Sequence, residues 1–141
     1  MKAVIVLEAL RKGYNSYSGI ASYAIEHRKI SISEKTIRRH IELLRNLGYQ
    51  INKNEHGFTL EGKTMPNKNV KFGTSAYPLI LLRILQQCTF FRPDQALIIS
   101  LFRAEYGCKV NRKAVGRNIK GLRELGYNIE HTKEGYKLIK E

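Results

Sequence analysis

Apolar residues recur at helical spacing from the first positions of the chain. Val4, Leu7 and Leu10 share one face of residues 2–11, and Gly13-Tyr14-Asn15 breaks the pattern. Ser16 or Ser18 can cap a second helix, with Ile20, Tyr23 and Ala24 inward, that runs to about His27. After a connector at 28–32 comes Ser33, whose hydroxyl can accept from a free backbone N–H in a first helical turn. Ile37, Ile41 and Leu44 then stack on one face, and Gly48 ends this third helix as a C-terminal cap would. Tyr49-Gln50-Ile51 and Phe58-Thr59-Leu60 alternate like strands around a polar, turn-like stretch, which predicts a short β-hairpin. Residues 62–75, rich in Gly, Lys, Asn and Thr and carrying Pro66, read as a linker.

The same plan then returns. Pro78 starts a helix through 79–87, and Pro93-Asp94 opens another to about Tyr106. Asn111 sits where Ser33 sat, Val115, Ile119 and Leu122 take the core places, and Gly126 ends the helix. Residues 127–129 and 136–138 are the second pair of strands. The identity behind this plan is direct. Leu44-Arg45-Asn46-Leu47-Gly48-Tyr49-Gln50-Ile51 is echoed 78 residues later by Leu122-Arg123-Glu124-Leu125-Gly126-Tyr127-Asn128-Ile129. Aligned without gaps, residues 35–60 and 113–138 share 11 identities in 26 pairs, so the chain holds two copies of one structural unit. The expected domains are 1–62 and 77–141, joined by a linker at 63–76. The expected core is Ile37, Ile41, Leu44, Leu47 and Leu60 in one unit, and Val115, Ile119, Leu122, Leu125 and Leu138 in the other.

The phrases Thr36-Ile37-Arg38-Arg39, Leu44–Gly48 and Gly57-Phe58-Thr59-Leu60, with their second copies Val115-Gly116-Arg117-Asn118, Leu122–Gly126 and Gly135-Tyr136-Lys137-Leu138, carry a resemblance. The pattern resembles the winged helix–turn–helix domain of the biotin operon repressor type, in which a recognition helix leads through a leucine–glycine pair into a wing. The resemblance covers the third helix and hairpin of each unit; the first two helices share only their hydrophobic pattern. It implies a mainly α fold with small β-hairpins, arranged as two tandem winged helix–turn–helix domains. The turns before the third helices, at 28–31 and 106–109, are longer than the family's tight turn. Nothing outside the two units resembles an enzyme, ligand-binding or sensor domain.

Charge adds a partner class. The net charge is +13, from 25 Lys/Arg against 12 Asp/Glu. Dividing the chain after Met65 leaves +5 on the first part and +8 on the second, so the surplus is no single basic tail. Both units being basic favours a polyanion met by both. If Ile37, Ile41 and Leu44 mark the core side, then at ~100° per residue Lys35, Arg39, Glu42 and Asn46 point away, with Arg38 beside them. In the second copy Arg112, Lys113, Arg117, Lys120 and Glu124 lie on or beside that outer face. A helix buried on one side and cationic on the other suits a major-groove reader, with Arg able to bond guanine and Lys or Arg able to neutralise phosphate. The bland alternative is a solvated helix face; Lys35/Lys113 and Arg39/Arg117 recurring at equivalent positions weigh against it. On the first hairpin Lys53, Asn54 and His56 can reach a groove or the backbone, whereas the second carries Glu130, Lys133 and Glu134 and is less suited. Tyr14 and Tyr17 can donate to phosphate or pack over the core edge. Gly116 and Gly121 inside the second recognition helix suit either close approach of a partner or a tolerant surface.

The expected function is double-stranded DNA binding without catalysis, by a small transcription regulator using two recognition helices in the major groove. The expected DNA-binding residues are Lys35, Arg38, Arg39, Lys53, Arg112, Lys113, Arg117 and Lys120. No cofactor or metal is expected. Asp94 is the only aspartate, the four histidines are dispersed, no phosphate-binding glycine loop is present, and His40 is assigned a packed or capping role. Cys88 and Cys108 are expected to be reduced core residues. No apolar run approaches the ~18 residues of a membrane helix, so a cytoplasmic, nucleoid-associated protein is expected, with no membrane partner. It would act as a monomer with a pseudo-dimeric repeat or as a homodimer. Three rivals stand: a protein-binding inhibitor or adaptor built on a repurposed winged helix, a replication or recombination accessory protein, and RNA binding.

Overall fold

The chain is mainly helical. Its computed structural model describes residues 1–140; Glu141, the last residue of the expected second domain, lies outside the described residues. Among the described residues are six α-helices and two small antiparallel hairpins, divided between two compact units, Met1–Val70 and the chain from Lys71 onward. The first unit holds α1 (Lys2–Arg11), α2 (Tyr17–Arg28), α3 (Glu34–Asn46), β1 (Tyr49–Asn54) and β2 (Gly57–Lys63). The second holds a 3-10 turn (Thr74–Ala76), α4 (Tyr77–Gln87), α5 (Gln95–Tyr106), α6 (Arg112–Glu124), β3 (Asn128–Thr132) and β4 (Gly135–Lys140).

The 78-residue offset governs the local geometry from the second helix of each unit onward. Ser16 caps α2 by accepting from Gly19 N at 3.0 Å, and Asp94 caps α5 by accepting from Leu97 N at 2.8 Å. Ser33 caps α3 through Thr36 N at 3.2 Å, and Asn111 caps α6 through Ala114 N at 2.8 Å. Each cap satisfies a first-turn N–H that the helix itself leaves unpaired. At the far end of α3, Arg45 Nε donates to the Ile51 carbonyl at 3.0 Å; Arg123 Nε donates to the Ile129 carbonyl at 3.1 Å. Both hairpins carry their register irregularity at the same place, between Gln50 and Ile51 and between Asn128 and Ile129.

The first helix of each unit is its central element. α1 packs on α2, α3 and β2, and α4 packs on α5, α6 and β4. Instead of one inward face, α1 is buried at every position from 3 to 10, because its apolar residues run around the whole helix. Glu8 is buried among them. Its carboxylate accepts from the Tyr23 hydroxyl at 3.0 Å and from the Arg28 guanidinium at 2.8–3.0 Å. These partners compensate the loss of water around the charge. Burial, and then the Glu8 carboxylate, push the Tyr23 phenol above its ordinary pKa. Cys88 and Cys108 are free and buried, and burial raises both thiols.

Ile37, Ile41, Leu44, Leu47, Val115, Ile119 and Leu122 are buried as expected. Leu60, Leu125 and Leu138 are only half-buried. In the hairpins the core places go to Ile51 with Phe58 and to Ile129 with Tyr136, whose rings are larger than the leucine two residues on. The stretch after the first hairpin returns along the end of α3, with Thr64 N donating to the Gly48 carbonyl at 2.6 Å and Asn67 N to the Asn46 carbonyl at 2.8 Å. No described segment returns in this way past Leu125. On the other side of Val70, Phe72 is buried and stacks edge-on against Tyr106 at 6.3 Å between centroids.

One junction recurs in both units. Phe58 N donates to the Asn15 carbonyl at 2.8 Å, and Tyr136 N donates to the Pro93 carbonyl at 2.8 Å. Each tie runs from the start of the outer strand to the residue before the second helix's N-cap. Gly57 and Gly135 precede the donors at φ +105° and +140°, and a Cβ on either would run into the carbonyl oxygen of Asn15 or of Pro93. Gly57→Ala should therefore destabilise the first unit by more than the ordinary ~1 kcal/mol propensity scale of a single backbone substitution. Gly116→Ala, within α6 and with open space around the added carbon, should be neutral or stabilising by up to about 1 kcal/mol. Leu44→Ala, at a position with no solvent exposure, should cost about 2–5 kcal/mol. Thermal and urea unfolding of the three variants checks all three.

Candidate nucleic-acid interface

α3 and α6 each bury one side and expose the other. On α3, Ile37, Ile41 and Leu44 face inward while Lys35, Arg38, Arg39 and Glu42 are exposed. On α6, Ala114, Val115, Ile119 and Leu122 face inward while Arg112, Lys113, Arg117 and Lys120 are exposed. All seven expected helical cations therefore lie on outer faces, and Lys53 is exposed on β1.

The first unit gathers two of its cations around one ring. Tyr17, at the start of α2, packs edge-on against Phe58 of β2 with centroids 5.3 Å apart. The Arg38 guanidinium carbon lies 5.2 Å from the Tyr17 centroid, and Lys53 Nζ lies 5.6 Å from it and 5.5 Å from that of Phe58. Three elements thus contribute to one spot: α3, the hairpin and the N-terminal turn of α2. Cations held over aromatic faces are partly preorganised and still open to an anion. The Ser16 and Ser18 hydroxyls sit 3.3 Å apart in the same turn, where the helix dipole also favours negative charge. Asn15 Nδ2 donates to the His56 carbonyl at 2.7 Å, which ties the hairpin tip to this corner. Tyr14, by contrast, packs over the core edge against Tyr23 at 5.1 Å.

Internal acids temper the rest of the first face. Arg38 pairs with Glu34 at 3.3 Å, and Arg45 with Glu42 at 3.6 Å. Arg39 donates to the Thr36 hydroxyl at 3.3 Å. Exposed pairs of this kind are worth little and exchange readily with a stronger anion.

The second unit distributes its charge differently. Glu34 is replaced by Arg112 and Glu42 by Lys120, and among the described residues none of Arg112, Lys113, Arg117 and Lys120 forms an ion pair. The corner, however, lacks both of the cations that flank Tyr17 in the first unit. Gly116 stands at the position of Arg38, Gln95 at that of Tyr17 and His131 at that of Lys53. His131 stacks on Tyr136 at 4.1 Å with the rings 8° from parallel, and Gln95 Nε2 approaches the Tyr136 hydroxyl at 3.5 Å. The cap is now the anionic Asp94, and the hairpin's Glu130 pairs with Arg92 at 2.8 Å.

Two features escaped the sequence reading. Arg45 and Arg123 look like outer-face cations, yet both are spent on a hairpin carbonyl; their identity at equivalent positions was the available signal. The assembly of Tyr17, Arg38 and Lys53 joins residues 21 and 15 positions apart, and no local spacing announces it.

The comparisons with known proteins add no likeness: no protein-family model, no curated protein and no solved structure matches the chain. No helix among the described residues is long and apolar enough to cross a membrane.

His40, on the flank of α3, is half-buried. Burial first, and then the positive charges of Arg39, the amino terminus and Lys2, push its pKa below the ordinary histidine value. The unfolded chain then binds a proton more readily than the folded one, so stability rises with pH through this window and falls as pH drops below about 6.5. His40→Gln should flatten that part of the dependence. Melting temperatures of the two proteins between pH 5 and 8 check the difference.

Proposed function

We propose that each unit is a winged helix and that the chain binds double-stranded DNA as a small transcription regulator, with α3 and α6 as its recognition helices. The observation that carries this reading is the pairing of like positions. Lys35 and Arg39 on α3, and Lys113 and Arg117 on α6, stand on exposed faces of helices whose other side is core, in two units whose caps and hairpin ties coincide residue for residue. A cationic helix face flanked by a hairpin is the surface that a duplex can accept in its major groove while phosphates are held alongside. In the first unit Arg38 and Lys53 around Tyr17 are suited to phosphate. In the second the helix face itself carries the charge.

Duplex binding should weaken with salt by counterion release, at a log–log slope near −0.9 for each phosphate neutralised; about 6–10 phosphates are within reach of two small modules. Fluorescence anisotropy with a mixed-sequence duplex, titrated from ~50 mM salt upward, measures the slope. Arg39→Ala and Arg117→Ala should weaken binding without lowering thermal stability. An arginine that reads a base should cost about 1–3 kcal/mol and relax preference at one position; one that holds phosphate should lower affinity evenly and reduce the slope by about one. Arg38→Ala and Lys53→Ala should behave in the second way. Lys68→Ala, on neither helix face, is the control. No binding at ~50 mM salt would sink the reading, as would equal small losses for every substitution including the control.

A further inference from the structure

The connection between the first two helices differs between the units. It spans 12–16 in the first and 88–94 in the second, two residues longer. Aligned on the caps Ser16 and Asp94, the loop brings Phe90 and Phe91 to the places of Lys12 and Gly13. Phe90 is 99% exposed and Phe91 53%, the largest aromatic surface the described residues present to solvent. Neither ring belongs to the buried core, and the fold gives no reason for leaving Phe90 wholly in water beside the half-covered Phe91. Exposed apolar groups gathered at one spot mark a contact surface.

The loop's position narrows the partner. Its last residues are fastened to the hairpin: the Arg92 guanidinium to Glu130 of β3 at 2.8 Å, and the Pro93 carbonyl to Tyr136 N of β4 at 2.8 Å. It therefore emerges beside the hairpin and the start of α5, next to the positions equivalent to those of Tyr17 and Lys53 in the first unit. In the second unit Gly116 and His131 take the places of the two cations Arg38 and Lys53. Gly116 offers no side chain where Arg38 stood, and a carbon added there would meet nothing within 4 Å. Removing the arginine lets a backbone come closer to α6, and Arg112, Lys113, Arg117 and Lys120 on the same helix supply the attraction for a polyanion.

We propose that Phe90 and Phe91 form an apolar wedge that enters the base stack of the duplex held by α6 and bends it. The proposal rests on the DNA-binding reading above and gives the second unit a task that the first lacks. Apolar side chains pressed between base steps unstack them and kink DNA, and the resulting bend wraps more of the duplex on the protein. Flexible pyrimidine–purine steps would yield most easily, giving sequence preference without hydrogen bonds to bases.

Ligase-mediated cyclisation of duplexes of about 150 bp, near the persistence length, reads the bend directly. The wild-type chain should raise the yield of circles, and the double variant Phe90→Ala/Phe91→Ala should return it to that of DNA alone. The same variant should lose at least about fivefold in duplex affinity while keeping the salt slope, because it removes apolar contact and no phosphate partner. Its melting temperature should not fall, given the exposure of both rings. Phe90→Leu/Phe91→Leu should retain bending, since a wedge needs apolar bulk and a stacking platform needs a ring. Equal cyclisation by wild type and the alanine variant overturns the wedge while leaving DNA binding intact. A loss confined to single-stranded oligonucleotides, or to sedimentation with phosphatidylserine vesicles, also overturns it and assigns the rings to that partner. Failure of the wild-type chain to bind duplex at all removes the underlying reading instead.

Discussion

A backbone hydrogen bond joins the hairpin to the second helix at the same corner of each unit. Phe58 N to the Asn15 carbonyl, and Tyr136 N to the Pro93 carbonyl, hold the hairpin against the start of the second helix. A two-stranded hairpin alone is marginal in water, and this tie acts together with the Arg45 or Arg123 bond to the inner strand and the buried strand side chains to fix it. With the hairpin so held, residues of the hairpin, the third helix and the second helix's first turn meet at one corner. The tie depends on Gly57 and Gly135, since the carbonyl passes through the space a Cβ would fill. It also places an aromatic ring under the hairpin, Phe58 or Tyr136, buried in each case. The closeness of Tyr17, Arg38 and Lys53 in the first unit follows from this constraint, as does the attachment of the Phe90–Phe91 loop in the second.

Buried and exposed positions differ to different extents between the two copies. Buried positions exchange like for like, Ile37 with Val115 and Phe58 with Tyr136, because a core tolerates only small changes of volume. Caps exchange within the set of side chains that accept from a first-turn N–H: Ser16 with Asp94, Ser33 with Asn111. Exposed positions obey no such limit. Arg38 against Gly116 removes the side chain, Lys53 against His131 exchanges an ammonium for an imidazole, and Glu42 against Lys120 reverses the sign. Folding requires none of these exchanges, so the differences are available to binding.

Much of this was legible in the sequence because the signals are local. Four polar caps, helix-ending glycines and period-two strands foretell elements that the structure places within a few residues, from α1 at Lys2–Arg11 to the hairpin strands. The misses have physical causes. Val4, Leu7 and Leu10 suggested a one-sided α1, but a helix with Ala3, Ile5, Val6 and Ala9 on its remaining faces is apolar all round and is buried all round. Leu60, Leu125 and Leu138 looked like core because leucine usually is; their exposure depends on what lies across from them, which no single-chain pattern states. Lys29 adopts the left-handed conformation, φ 57°, that its counterpart Gly107 shares at 66°, and lysine gives no warning of it. The corner around Tyr17 is a product of tertiary packing, and its chemistry became visible only once the hairpin was in place.

Linking two modules in one chain makes the second binding event intramolecular, so modest faces can act together with an avidity neither has alone. What such a pair would select depends on how alike its members are. Two identical helix faces would ask for two copies of one half-site, as a symmetric dimer does. Here the faces share Lys35/Lys113 and Arg39/Arg117 and differ at Glu34/Arg112, Arg38/Gly116 and Glu42/Lys120. If both units meet a duplex, the common pair would give them a similar hold on it, while the unlike positions would present different donors, acceptors and clearances to the groove. On the DNA-binding reading, two half-sites of unlike sequence follow more naturally than a palindrome. An asymmetric target also fixes the orientation of the bound chain, which a symmetric site leaves degenerate. On that reading, unlike exposed faces on two like scaffolds are the physical means by which a repeated unit would acquire a direction.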